Sequence, residues 1–570
     1  MEEDLITLIK KYKYPLIIIG IGILVYFNML LNGFVWDDLI YVINSPQTHS
    51  LNPFSLFGMN VFNNAGQYRP LAMTYFSILY NLFGTNQFFY HLTQLILHIV
   101  NACLVYLIFK FFFNKKLALF LSLIFLIHPM QVESVSYIGA SGGILFFFFG
   151  LVALLIVIKN KKGLLFNFIQ QLLLLASLLT KEGGILFFPL IFIYLYLFRK
   201  KSSLSFTLSS FVALITYFLM RSVIGDLFFV NRSLIPIVRL NFAERLITIP
   251  QVIFYYLKTF FYPVTLAVDQ QWVITKITFS GFYLPLLFDL LFIGLLITLE
   301  VYFYKKDKKI FSVYSFFFVW FMLGLILYSQ IIPSDGTVAD RWFYFHMVGL
   351  LGILGLILQN IKLTKINNNV LIVLATIVIL ILGIRTIVRN NDWEDPVKLF
   401  THDIKITDNF LIQAELTLAL TNKGELNDAL IHAKKSVAYF SNDLNLYNLG
   451  YIYGKMGNFQ QAEKEYIRGL QAKHYLPDGH SHYLVLYVAL TRLLLYGGQS
   501  NEAKYYIEKG LKDYPDSGYL WMNLALAEYD LHNPKDALVA AGKARQLLQS
   551  GEINYIYNQI LNNQPINFVK

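Results

Sequence analysis

Over the first 389 residues long apolar runs alternate with short polar breaks, and after about residue 390 no apolar run reaches spanning length. A membrane-crossing helix needs roughly 20 mostly apolar residues. The pattern predicts spans at 15–32, 88–109, 117–133, 140–158, 163–180, 183–198, 203–221, 279–304, 310–332, 342–360 and 368–388. Segment 247–262 is apolar too, but counting it as a span puts the lysines that follow residue 304 on the wrong side. It is therefore read as a re-entrant or interfacial helix. The expected architecture is all-α: a polytopic membrane domain at 1–389, with a first extracytoplasmic loop at 33–87, followed by a soluble domain at 390–570.

The basic residues set the orientation. Lys10, Lys11 and Lys13; Lys115 and Lys116; Lys159, Lys161 and Lys162; Arg199, Lys200 and Lys201; Lys305, Lys306, Lys308 and Lys309; and Lys362 and Lys365 occupy alternate breaks. Cytoplasmic loops carry the excess of Lys and Arg. Eleven spans with a cytoplasmic N-terminus satisfy every cluster and place the C-terminal domain outside. The first span is expected to be retained, since no small-residue cleavage site follows it. The composition agrees: 56% of residues are hydrophobic and 14% charged, against about 45–50% and 25% in soluble domains. The net charge of +11 resides largely in these six clusters, so it is a topology signal and not a nucleic-acid footprint. A single cysteine, Cys103, excludes an intramolecular disulfide.

The tail carries a repeat. Ala429, Ala462, Ala503 and Ala537 recur at spacings of 33, 41 and 34 residues, against the 34 of a tetratricopeptide unit. Leu449, Gly450, Tyr453 and Tyr466 surround the second of them, and Trp521, Leu524 and Ala525 precede the fourth. About four helix pairs are expected, each burying its face against its neighbours. Generic amphipathic helix pairs are the competing reading. Such a solenoid points to recognition of a protein or peptide.

Most acids and histidines of the membrane domain fall in the breaks assigned to the outside: 33–87, 128–139, 181–182, 222–278 and 333–341. Asp37 and Asp38 follow the first span; they suit a general base or a cation site, or a solvated turn or cap. Arg69 suits bidentate phosphate binding, or snorkelling at the interface. His91 and His98 share one helix face, with His98 deep enough to signal a cavity or a buried helix-to-helix hydrogen bond. His128 and Glu133 end the third span, Lys181-Glu182 forms a short hairpin, and Asp340-Arg341 opens the tenth span. Lys181 and Arg341 are candidate phosphate ligands; alternatively each pairs with its sequence neighbour. No metal-ligand spacing, phosphate loop or nucleophile elbow is present. No cofactor is called for, and a divalent cation at the Asp pair stays open. Asn231-Arg232-Ser233 is a formal glycosylation sequon.

The ordered set Trp36-Asp37-Asp38, Tyr68-Arg69-Pro70-Leu71, Tyr90-His91-Leu92 with His98 and Asn101, His128-Pro129 with Glu133, Lys181-Glu182, Asp340-Arg341 with Tyr344, and Arg389-Asn390-Asn391-Asp392-Trp393 with Leu399-Phe400 resembles the TMTC proteins, the transmembrane and tetratricopeptide repeat-containing O-mannosyltransferases, and their prokaryotic relatives. The resemblance implies a GT-C fold and an inverting transfer from a polyprenyl-phosphate-linked sugar, typically mannose, to Ser or Thr of a protein acceptor on the extracytoplasmic side. It implies that Asp37 or Asp38 is the base, Asp37 first, and that Arg69, Lys181 and Arg341 hold the donor phosphate. His91, His128, Glu133, Glu182 and Asp340 are supporting residues. Where family relatives often have Ala-Glu-Arg, this chain has Ala339-Asp340-Arg341.

The expected partners are thus the lipid-linked donor, a protein or peptide acceptor and the bilayer, with no nucleic acid. Richness in Ile, Lys, Asn, Phe and Tyr favours a prokaryotic plasma membrane over the endoplasmic reticulum. A membrane-anchored repeat scaffold without catalysis competes with this reading, although eleven spans exceed what an anchor needs. A transporter fits less well, because intramembrane charge is sparse and no inverted repeat is visible.

Overall fold

In the computed structural model the chain is all-α, and residues 2–58, 67–161, 163–224, 235–360, 368–472, 482–548 and 550–566 are described. The Asn231 sequon and the basic residues Lys162, Lys362 and Lys365 lie outside them. Two compact units result, Met1–Thr407 and Asp408–Lys570. Residues 390–407 are polar in composition yet pack into the first unit, through contacts that include Asn32 Nδ2 donating to the Asn390 carbonyl at 3.0 Å.

Among the described residues, eight helices of the first unit are long and apolar enough to cross a membrane: Tyr12–Leu31, Gln87–Phe112, Ile138–Ile158, Ser203–Val223, Phe279–Lys306, Lys308–Leu327, Asp340–Asn360 and Asn369–Asp392. The chain is a multi-pass membrane protein by this measure. Segment 117–133, expected as one span, is a pair of helices, Lys115–Ile127 and Pro129–Ser136, bent by 50°. The cause is Pro129, which lacks an amide hydrogen and drives the preceding His128 out of the helical region; His128 is extended and its ring caps Met130. Segments 163–180 and 183–198 form shorter apolar helices, Leu164–Thr180 and Glu182–Phe198. Helix Phe242–Phe261 is not among the apolar spans. It opens with a capping box between Asn241 and Glu244 and carries Pro250 within it.

The breaks sort to two sets in space. The Arg199 guanidinium donates to the carbonyls of Val157 at 3.0 Å and Ile158 at 3.1 Å, so two lysine-rich breaks lie together. Lys306 Nζ donates to Asn360 Oδ1 at 3.0 Å, joining another cluster to the end of a later span. The acid-bearing breaks meet one another through a different set of contacts, described below.

The second unit is a tetratricopeptide-like solenoid. Its helix pairs are Phe410–Lys423 with Leu426–Tyr439, Asp443–Lys455 with Phe459–Gln471, Tyr483–Tyr496 with Ser500–Asp513, and Gly518–Asp530 with Pro534–Leu548. Gly551–Leu561 follows them. Ala429, Ala462, Ala503 and Ala537 each occupy the fourth residue of the second helix and are fully buried. A small side chain there lets paired helices approach closely, and Gly450 serves the same purpose: a Cβ on it would stand 2.6 Å from the Tyr466 ring.

Candidate functional site

The turn after the first span is closed by Asp38. Its Oδ2 accepts from the Val35 amide at 2.9 Å and its Oδ1 from the Gly139 amide at 2.6 Å. The side chain is fully buried, and burial pushes its carboxyl pKa up against the pull of those amides. This turn places Trp36 at φ +53°, a conformation bulky residues rarely adopt. Trp36 stacks on Tyr137 with ring centroids 5.3 Å apart, and the Arg341 guanidinium lies over both rings at 5.6 and 5.9 Å. Asp37 is only half-buried, and its Oδ2 accepts from the Tyr137 hydroxyl at 3.0 Å. The two adjacent carboxylates therefore differ in kind: Asp38 braces a turn, and Asp37 faces the polar cluster. Both Asp38 oxygens are turned onto backbone amides. No group of three or more His, Cys, Asp or Glu residues able to hold a metal occurs among the described residues.

The cations arrive from three distant breaks. Arg69 precedes helix Pro70–Phe83, whose Pro70 sits at the first turn, where a missing amide hydrogen costs nothing. Its Nε and Nη2 each lie 2.9 Å from Glu182 Oε2. Glu182 opens the short turn Glu182–Leu186. That hairpin is tight enough that a Cβ on Gly184 would stand 2.5 Å from the Ser177 carbonyl carbon. Arg221 reaches the same carboxylate at 3.9 Å. Arg341, in the turn Asp340–Phe343, binds Glu133 twice: its amide donates to Oε2 at 2.9 Å, and its guanidinium pairs with Oε1. The neighbour pairings open in the sequence are thus replaced by pairings across the fold, since Glu182 holds Arg69, Glu133 holds Arg341, and Asp340 accepts from the Tyr255 hydroxyl at 2.6 Å.

Lys181 differs from these. Among the described residues its Nζ has no hydrogen-bond or ion-pair partner. Burial, with Arg69 and Arg341 nearby, holds its ammonium down to about 7. An amine in such a place gains from any bound anion.

The histidines are placed as supports. His128 Nε2 donates to the Phe260 carbonyl at 2.9 Å while Nδ1 accepts from the Met130 amide at 3.3 Å, and the ring stacks on Phe260. His98 bridges helices, with Nε2 on the Leu126 carbonyl and Nδ1 on the Tyr344 hydroxyl, both at 2.8 Å. His91 is fully buried beside the backbone of Asn32 and Gly33.

Several residues in the cluster carry no periodic signal in the sequence. Tyr137, Asp269, Gln271 and Asp335 lie in irregular breaks. The run Asp269-Gln270-Gln271 between Ala267-Val268 and Trp272 is the one local clue, since three polar residues flanked by apolar ones and buried must be hydrogen-bonded. Gln271 Nε2 donates to Asp269 Oδ1 at 2.6 Å, and burial pushes the Asp269 carboxyl up to about 6. The loop is anchored by the Val268 amide, which donates to Asp403 Oδ2 at 2.6 Å, while Asp403 pairs with Arg389 at 2.8 Å.

No protein-family model matches the chain. It is 24% identical over 478 residues to the Caenorhabditis elegans protein O-mannosyl-transferase F38B6.6, covering 80% of this chain and 62% of that protein. It is 29% identical over 128 residues to the human protein O-mannosyl-transferase TMTC3, covering 21% of this chain and 14% of that protein. The chain thus spans less than two thirds of the length of either relative. Among solved structures, YrrB, a TPR protein with an unusual peptide-binding site, aligns at a TM-score of 0.25 with 15% identity, covering 29% of this chain and 84% of that one. By sequence, the chain is similar to the TMTC-type protein O-mannosyl-transferases.

Proposed function

We propose that the protein is a GT-C-type glycosyltransferase that moves a sugar, mannose in the first instance, from a polyprenyl phosphate to Ser or Thr of a protein acceptor, with inversion, on the extracytoplasmic face of the membrane. In this reading eleven spans leave the N-terminus cytoplasmic and the repeat unit outside. The names of the relatives support protein O-mannosylation. The observation that carries the reading is the gathering of a half-buried carboxylate, Asp37, with Arg69, Lys181 and Arg341 from three separate breaks.

The chemistry needs that set. Asp37 accepts the acceptor hydroxyl proton as the oxygen attacks the anomeric carbon. The bond from that carbon to the phosphate oxygen breaks, and the electron pair leaves on the polyprenyl phosphate. The leaving group is an anion, so fixed cations stabilise it without a proton donor. The Asp37 charge acts electrostatically on the Arg341 guanidinium, so base and cation share one field. Tyr137 orients the carboxylate, and Asp38 sets the turn that carries it. The repeat unit supplies acceptor recognition. Purified protein incubated with polyprenyl-phosphate sugars and Ser/Thr peptides is expected to yield a hexose-modified peptide by mass spectrometry. Absence of any sugar adduct across the donor panel removes this reading.

Lys181 gives the reaction a pH signature. With its pKa about 7 in the free protein, it must take up a proton to meet the donor anion at higher pH. Affinity for a polyprenyl-phosphate sugar, a phosphodiester that does not titrate in this range, is expected to fall as pH rises from 7 to 9, approaching about tenfold per pH unit. Lys181→Arg keeps the charge and flattens the profile. Calorimetric titration of both proteins checks it; equal slopes in both exclude Lys181 as the titrating ligand.

A further inference from the structure

The polar cluster contains hydrogen-bonding capacity that nothing among the described residues uses. Gln67 Nε2 donates to Asp335 Oδ2 at 2.9 Å. Gln271 Nε2 donates to Asp269 Oδ1 at 2.6 Å and approaches the Asp335 carbonyl at 3.4 Å. These donors fix which way each amide points, because a flipped amide would set its oxygen against a carboxylate or carbonyl oxygen. The other end of each amide is therefore an oxygen, and Gln67 Oε1 and Gln271 Oε1 have no hydrogen-bond partner among the described residues. The Tyr68 hydroxyl has none either. All three side chains are at most 5% exposed. Buried polar groups are almost always satisfied, so a cluster of exceptions calls for a ligand.

The occupant's chemistry follows from what is unsatisfied. Two carbonyl oxygens need a donor from the ligand. A phosphate anion offers no such hydrogen, and an apolar chain offers none. A cation would go to the neighbouring carboxylates and not to the amides. A polyhydroxylated ring supplies several O–H donors at once. The position agrees: Gln67 is two residues from Arg69, Asp335 acts electrostatically on both Arg69 and Lys181, and Asp269 is acted on by both Arg341 and Asp37.

We propose that Gln67, Tyr68 and Gln271, braced by Asp269 and Asp335, form the subsite that reads the hydroxyl groups of the donor hexose, between the cations that take its phosphate and the Asp37 carboxylate. This rests on the donor reading given above. Gln67 and Gln271 are then specificity-determining residues, because a site built to hydrogen-bond a hydroxyl rejects the epimer that misplaces it.

The test uses the full-length protein in lipid nanodiscs with polyprenyl phosphate alone and with polyprenyl-phosphate mannose, glucose and galactose. The wild-type protein is expected to prefer one epimer by about tenfold or more in kcat/KM. Gln67→Met and Gln271→Met, near in size and without the amide, are expected to reduce that preference by about fivefold or more while leaving affinity for sugar-free polyprenyl phosphate unchanged. An unaltered preference in both variants overturns the subsite, and so does equal use of the three epimers by the wild-type protein, which decides the matter even if the variants do not fold. If the wild-type protein binds no polyprenyl phosphate at all, the donor reading itself fails, and the two failures are thereby told apart.

Discussion

Asp37→Asn is expected to lower kcat for sugar transfer by about 10²–10⁴-fold, the range ascribed to a positioned general base, and to leave the thermal unfolding of the membrane unit unchanged. The asparagine oxygen still accepts from the Tyr137 hydroxyl, so the geometry persists and the basicity is lost. Asp38→Asn is expected to do the opposite. Its two oxygens satisfy the amides of Val35 and Gly139 in a buried place. An Asn side chain sets an NH2 group against one of those amides, leaving a buried donor unpaired at a cost of about 1–3 kcal/mol. The turn that holds Trp36 in its left-handed conformation then loosens, and the unfolding temperature drops. Thermal melts of both variants beside single-turnover transfer separate the two roles. A stable, inactive Asp38→Asn together with an active Asp37→Asn would reverse the assignment.

The distinction between the two aspartates shows where sequence reasoning ends. Eight of the eleven expected spans were legible as spanning helices because bilayer thickness imposes a length and a composition, and the repeat was legible because close helix packing imposes Ala429, Ala462, Ala503 and Ala537 at one recurring place. The residues that carry charge to one set of breaks, Asp37, Arg69, Lys181 and Arg341, could also be named. Their partners could not. Glu182 and Asp340 sit beside Lys181 and Arg341 in the chain, yet successive side chains in an extended segment or a tight turn diverge, and each acid meets a residue from a remote break instead. Asp38 is set apart from Asp37 by the amide of Gly139, about a hundred residues away, a contact that no local pattern encodes. Tyr137, Gln271 and Asp335 belong to irregular segments, where neither a helical nor a strand period marks the inward face.

Glu133 tests how far the cation cluster depends on those remote partners. The carboxylate is buried, accepts from the Arg341 amide at 2.9 Å and pairs with the Arg341 guanidinium, so it holds both the backbone and the side chain of that residue. Removing one member of a buried pair leaves the other charge uncompensated, at about 3–5 kcal/mol. Glu133→Gln is therefore expected to lower the unfolding temperature of the membrane unit markedly and to release the guanidinium from its place over Trp36 and Tyr137. Adding Arg341→Met removes the stranded charge. The double variant Glu133→Gln/Arg341→Met is expected to regain most of the lost stability, because an apolar replacement of a buried pair is often neutral. It is not expected to regain transfer, because the cation beside Asp37 is gone and the leaving phosphate has lost a ligand. Stability and activity thus part company in the double variant. Thermal unfolding and transfer rates on the two single variants and the double variant measure the coupling directly. If the double variant recovers both together, Arg341 serves the fold alone and the phosphate is held elsewhere; if stability stays low while Arg341→Met alone is well folded, the Glu133 carboxylate supports the bent helix pair independently of the arginine.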